Sequence, residues 1–345
     1  MRVQKSVRRR ITITDVAQHA GVSTAAVSKV LREAYGVSPQ MKQRVTASIA
    51  ELGYRPHAAA RGMRGQTYTV GLVLGNIRNP FFGDLLEGVT EALSSTRYQV
   101  FIGVGGYGAQ TQKQTTESMV DRQMDGLILI APGMTRPDVL DLAEQTPTVV
   151  IGHHDSPEGY DCVVHDDRAG GRLVIEHLVA LGHRRIAHTS TRGARGSRWR
   201  LRPEVMLARG YADAMKTQGL TGFAQVVTTS SSEEGGYEAG RALLTQPDPP
   251  TAIFTSTDAA ALGVFRAAAE LDLSIPHDLS LVGYNNTVVS AYAPVQLTTV
   301  DQAGAQMGAT AARLLLERIG GRSRALIVST SPRLVIRRTT APPRP

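Results

Sequence analysis

Apolar positions follow two regimes along the chain. From Ile13 to Leu52 they recur at helical spacing. Val16, Ala17 and Ala20 share one face of a first helix. Thr14 is placed to cap it, Asp15 falls in the first turn, and Gly21 permits the positive-φ turn that ends it. Ser23 is placed to cap a second helix whose buried side is Val27, Val30 and Leu31. Ser38-Pro39 supplies an N-cap and an N1 proline for a third, which buries Val45, Ile49 and Leu52 and stops at Gly53. Two short helices joined by a tight glycine turn make a helix-turn-helix.

After Gln66 the period changes. Apolar runs at 68–74, 99–104, 126–131, 148–152, 185–190, 252–256 and 279–284 read as buried strands. Amphipathic stretches such as Phe81–Ser95, Gln110–Gln123, Arg168–Leu181 and Asp258–Leu271 lie between them. This alternation predicts parallel sheets with helices on both faces. About 280 residues is too many for one such sheet, so two lobes are expected, enclosing a cleft at the carboxyl ends of the strands. The fold class is a small all-α helix-turn-helix head plus an α/β body, similar to the two-lobed periplasmic-binding-protein fold. The expected division is 1–56 for the head, 57–66 for a hinge helix and 67–345 for the body. Within the body, one lobe takes about 67–167 and 295–325, the other about 168–294 and 326–345.

Charge sharpens this picture. The chain has 38 Lys+Arg and 30 Asp+Glu. From Met1 to Gly65 there are 12 basic and 3 acidic residues, net +9, so the head carries the whole excess. A basic module on a nearly neutral body is the footprint of a polyanion binder. The exposed face of the second helix offers Thr24, Ala25, Ser28 and Lys29, short side chains suited to a major groove. Flanking cations such as Arg10, Arg32 and Arg55 would contact phosphates without reading sequence. Cys162 is the only cysteine, which excludes an intramolecular disulfide and thiolate zinc clusters. No apolar stretch is long enough to span a membrane, and a cytoplasmic setting is expected.

The run TITDVAQHAGVSTAAVSKVL, followed by VSPQMKQRVTASIAELGYRPHAAARGM, resembles the lactose-repressor (LacI/GalR) family of bacterial transcription regulators. The likeness extends from about Ile11 to Val335. It implies that Thr24, Ala25 and Lys29 read bases, and that the Ala-rich segment from Pro56 to Arg64 is a hinge helix folding on DNA. The family's apolar wedge for the minor groove would be Met63, which could equally be a linker residue packing on the body. In the body the resemblance rests on Asn79-Pro80-Phe81-Phe82, on Thr257-Asp258 with Ala261-Leu262-Gly263, and on Gly283-Tyr284-Asn285-Asn286 with Leu297–Val300. Strand-end loops would bring Asn79, Phe81, Phe82, Asp258 and Asn285 around one cleft. One phenylalanine would stack on a ligand ring while the other serves the core, and Asp258 is either a ligand residue or a helix cap.

Two positions depart from the family. Asn285 stands where it has aspartate, and Leu207 where it has a ligand-anchoring arginine three residues before Gly210. Arg184, Arg185, Arg192, Arg195, Arg198, Arg200 and Arg202 instead form a basic stretch around Trp199. It is either a solvated loop or a gate in which Arg195 and Trp199 meet an anionic effector.

The resemblance implies a homodimeric repressor that binds palindromic operator DNA and answers to a small molecule, a sugar, sugar acid or related metabolite. No cofactor, metal or catalytic residue is expected. One alternative is an NAD(P)-dependent enzyme, because Gly103-Val104-Gly105-Gly106-Tyr107-Gly108 fits G-x-G-x-x-G after a strand. The other is a sugar-binding module with no DNA role, which leaves the basic head unexplained.

Overall fold

The computed structural model describes residues 11–31, 34–54, 66–154, 157–191 and 202–344. The chain divides into two compact units, 1–67 and 68–345.

In the first unit, helices Ile13–Ala20, Thr24–Leu31 and Pro39–Leu52 surround Val16, Val27, Val30, Val45 and Tyr54. The first helix begins two residues earlier than Thr14 would allow. Thr12 is its N-cap, in a reciprocal capping box with Asp15. Gly21 and Gly53 both adopt the left-handed conformation that ends their helices. Ser23 and Ser38 cap as expected, accepting from Ala26 and Met41 amides at 3.1 and 3.3 Å. Leu31, Ile49 and Leu52 are only half-buried. Ser48 is buried instead, and its hydroxyl lies 3.0 Å from His19 Nδ1.

The second unit holds two six-stranded sheets. The first is wholly parallel and contains β1 (Thr69–Leu74), β2 (Gln99–Val104), β3 (Gly126–Ile130), β4 (Thr148–Ile151), β5 (Asp161–His165) and β11 (Ile327–Thr330), in the order β11-β5-β4-β3-β1-β2. The second contains β6 (Ile186–Thr191), β7 (Gln225–Thr229), β8 (Ala252–Thr255), β9 (Ser280–Asn285), β10 (Thr298–Asp301) and β12 (Arg333–Val335), in the order β12-β10-β9-β8-β6-β7. Only β12 runs antiparallel, against β10. Both sheets reverse direction beside their first strand, so both lobes direct a switch-point crevice toward the strand carboxyl ends.

The chain crosses between the sheets three times: after His165, after Asp301 and after Thr330. This corrects the expected division. Thr298–Asp301 belongs to the second lobe and Ile327–Thr330 to the first. Short strands next to a crossover carry too few residues for their pattern to declare which sheet they join.

Helices pack in close pairs. Phe81–Leu93 lies on Gly304–Ile319, where a Cβ on Gly88 would stand 1.8 Å from the Ala305 carbonyl oxygen. Glu233–Leu244 lies on Asp258–Glu270, where a Cβ on Gly236 would stand 1.9 Å from the Ala260 oxygen. Only glycine allows backbones so near. Asp161, fully buried, receives Arg318 at 3.0 Å, Arg322 at 2.5 Å and the Leu326 amide at 2.8 Å. That clamp aims the chain from the end of helix Gly304–Ile319 back into β11.

Candidate functional site

A cavity of about 360 Å³ opens between the two sheets of the body, at the carboxyl ends of their strands. One wall is apolar: Phe81, Phe82, Leu85, Ile130, Ile151 and Met307. Phe81 is also part of the first lobe's core, while Phe82 is half-buried. Asn79 lines the cavity and its Oδ1 accepts from the Phe81 amide at 3.1 Å, so it also starts that helix. Opposite stand Ser230, Ser231, Ser232, Ser256 and Thr257 from the second lobe.

The floor is made where the chain crosses between lobes. Asp167, 1% exposed, is its centre. Its Oδ1 accepts from the Tyr284 hydroxyl at 2.8 Å and from Gln302 Nε2 at 3.0 Å, and its Oδ2 lies 2.9 Å from His154 Nε2. One carboxylate thus ties the first lobe (His154), the second (Tyr284) and the second crossing (Gln302). Burial and the neighbouring Asp167 carboxylate push the Tyr284 hydroxyl well up, so it stays a donor. Gln302 passes the chain on, since Asn285 Nδ2 donates to its Oε1 at 2.5 Å. The third crossing joins through Thr330, whose hydroxyl lies 3.1 Å from His165 Nδ1. Asn285 ends β9 with φ 120°, a strained conformation for a residue with a Cβ and the kind that collects at functional positions.

Four of the expected residues meet here: Asn79, Phe81, Phe82 and Asn285. Asp258 does not. It is buried behind the site as the first residue of its helix, and Thr257 is the cap. Its oxygens are occupied by the Thr287 amide at 2.7 Å, the Thr287 hydroxyl at 2.9 Å and the Thr299 hydroxyl at 2.5 Å. Desolvation lifts its carboxyl to about 6 against those bonds. Its position at the start of a helix after a strand-end loop signals closeness to the cleft, but the direction of the side chain is set by β9 and β10. Trp199 and Arg195 lie outside the described residues, as do Arg10, Arg32, Arg55 and Met63.

Several lining residues were not among the expected effector residues: Asn76, Tyr107, His165, Asp167, Arg202 and Glu204. Arg202 is 6% exposed at the start of helix Pro203–Thr217 and lies 3.4 Å from Glu204. It puts a cation in the cavity without the family register, while Leu207 lines the wall as an apolar residue. Tyr107 belongs to the glycine run, and its hydroxyl bonds Asn76. Of that run only Tyr107 lines the cavity, and the run is tied down by Gln112, which donates to the Gly106 carbonyl at 2.7 Å and accepts from the Gly133 amide at 2.6 Å.

On the head, Thr24, Ala25 and Lys29 are exposed along one side of helix Thr24–Leu31, and Lys42 and Arg44 are exposed on the third helix. Ser28 is half-buried, turned further inward than its place beside Lys29 suggests.

A helix-turn-helix head with a two-lobed body built around a small-molecule cleft defines a DNA-binding transcriptional regulator. Residues 12–57 match the bacterial regulatory proteins of the lacI family, and residues 175–340 match the periplasmic binding protein-like domain. The chain is 32% identical to the ribose operon repressor of Escherichia coli (strain K12) over 315 residues, 89% of this chain and 93% of that one. It belongs to the lacI family of bacterial regulatory proteins. It is also 32% identical to the HTH-type transcriptional regulator GalR of the same strain, over 96% of each chain. Among solved structures, a LacI family regulator from Enterococcus faecium with bound ribose matches at 28% identity and a TM-score of 0.71, covering 79% of this chain and 99% of that one.

Proposed function

We propose that this protein is a homodimeric repressor whose affinity for a palindromic operator is set by a small polyhydroxylated molecule in the body cleft. The observation that carries this is the cavity floor: three chain crossings and both lobes meet at one buried network, so a molecule seated on it contacts both lobes. A ligand that favours one lobe arrangement shifts DNA affinity by ~1–3 kcal/mol in such linked systems.

Thr24, Ala25, Ser28 and Lys29 are the proposed base-contacting set. Lys29 donates to a base edge, Thr24 and Ser28 supply hydroxyls, and Ala25 offers a methyl contact. Arg10, Arg32 and Arg55 are assigned to phosphates and Met63 to the minor-groove wedge. In the cleft, Asn79, Phe81, Phe82 and Asn285 are assigned to the effector. The dimer is supported by β2. This edge strand of the first sheet leaves Phe101, Ile102 and Val104 each about half exposed, an apolar edge suited to a second copy. Pairing two heads also supplies the specificity that one short recognition helix lacks.

The test is operator binding by a Lys29→Ala variant. Affinity for the specific site should fall by about 1–3 kcal/mol with little change on unrelated duplex. Equal losses on both would remove Lys29 from base reading.

A further inference from the structure

Two buried polar atoms of cavity-lining residues have no hydrogen-bond partner among the described residues: Asn285 Oδ1 and His165 Nε2. Asn285 is 7% exposed and His165 1%. Unpaired polar atoms this deep are destabilising unless a further molecule completes them.

The network fixes which Asn285 atom is left over. The Asp167 carboxylate only accepts, so Gln302 must present Nε2 to it and Oε1 to Asn285. Asn285 must then present Nδ2, as observed, and its carbonyl oxygen is left over. One of the amide's two N–H donors is taken by Gln302, and the free carbonyl oxygen offers the acceptor an aspartate would offer, without the charge. His165 follows similar logic. The Thr330 hydroxyl has the Val164 and Gln302 carbonyls within 3.5 Å to donate to. In the tautomer that donates Nδ1–H to this hydroxyl, Nε2 is a bare acceptor. Burial holds this imidazole below its ordinary value, reinforced by His154 and opposed by Asp167, Asp166 and Asp301, so it is neutral at pH 7. His165 ends β5 in the first lobe, and Asn285 ends β9 in the second.

We propose that His165 is a specificity-determining effector residue, pairing its Nε2 with Asn285 Oδ1 as two uncharged acceptors, one from each lobe. The pair receives two O–H or N–H donors of a neutral polyol, bridges the lobes through it, and rejects the matching carboxylate or phosphate. This rests on the cleft reading above and narrows it.

The test uses the full-length protein. D-Ribose, D-galactose, cellobiose and myo-inositol are each compared with an acidic counterpart: ribonate, galactonate, cellobionate and inositol 1-phosphate. Thermal shift finds binders and calorimetry measures them. A neutral member should bind at least tenfold more tightly than its acidic partner. His165→Leu and Asn285→Leu should each weaken that member on the order of tenfold. His165→Gln, which can restore an acceptor, should recover part of the loss and guards against a Leu variant that folds poorly. An acidic member binding as tightly as its neutral parent overturns the acceptor pair and leaves the cleft reading standing. So does wild-type affinity in folded His165→Leu. No binding by any of the eight compounds goes against the cleft reading itself.

Discussion

His188 sits fully buried in β6, stacked 5.3 Å from Tyr211 and 4.8 Å from Phe254. Its Nδ1 bonds the Phe254 carbonyl at 3.0 Å, and its Nε2 has no partner among the described residues. Burial pushes the imidazole down from 6.5 to about 4. The unfolded chain therefore takes up this proton first, between pH 6.5 and 4. The stability it contributes is present above 6.5 and is lost as pH falls. Linkage gives a loss of about 2 kcal/mol by pH 5 and about 3 kcal/mol by pH 4. Asp258 works the other way. Its value is raised from 3.8 to about 6, so the fold takes that proton first. Stability is gained as pH falls through 6, by about 1 kcal/mol at pH 5. The two partly cancel in the wild type, so a pH scan of one protein cannot isolate His188. His188→Phe can. The ring stack survives, one hydrogen bond to Phe254 is lost at every pH, and Asp258, His165, His177 and His183 are common to both proteins. Urea unfolding at pH 7 and 5, followed by far-ultraviolet circular dichroism, is the assay. The wild type should lose about 2 kcal/mol more than His188→Phe between the two pH values. Equal losses would refute a neutral buried His188.

Two further outcomes follow from the body. Asp167→Ala strands the Tyr284 hydroxyl and the Gln302 amide and frees His154, which should destabilise the fold by about 3–5 kcal/mol. It should also weaken the response of operator affinity to a bound sugar, and a denaturation midpoint near that of the wild type would show that Asp167 is not the tie. A Phe101→Lys, Ile102→Lys double variant should sediment as a monomer at concentrations where the wild type is a dimer. Unchanged sedimentation would place the dimer contact away from β2.

Much of this was legible in the sequence, because its signals are local. The helix caps at Ser23 and Ser38 and the turns at Gly21 and Gly53 are each decided within a few residues. Strands such as Gly126–Ile130 declare themselves by unbroken apolar runs. What was illegible depends on distant partners. β7 reads QVVTT and β5 contains Asp161, which is polar by composition and buried only because Arg318 and Arg322 reach it from more than 150 positions away. Asp258 was expected at the cleft because its helix starts there, and it points inward because Thr287 and Thr299 claim it. Arg202 falls outside the family register, but the start of its helix delivers it to the cavity. Asp167 carries no local signal, and only the meeting of three crossings makes it central.

The triple crossing also bears on how the chain is made. β11 and β12 follow every other strand in chain order, and each supplies an edge strand to one sheet. During synthesis, neither lobe of the body can be completed until residues 327–335 have emerged. Among the described residues, the three-helix head draws its core from residues 11–54. Domains fold as they emerge, so the DNA-binding head matures while the regulatory body is still incomplete. A message cut short before codon 327 would yield a folded head attached to an unfinished regulator.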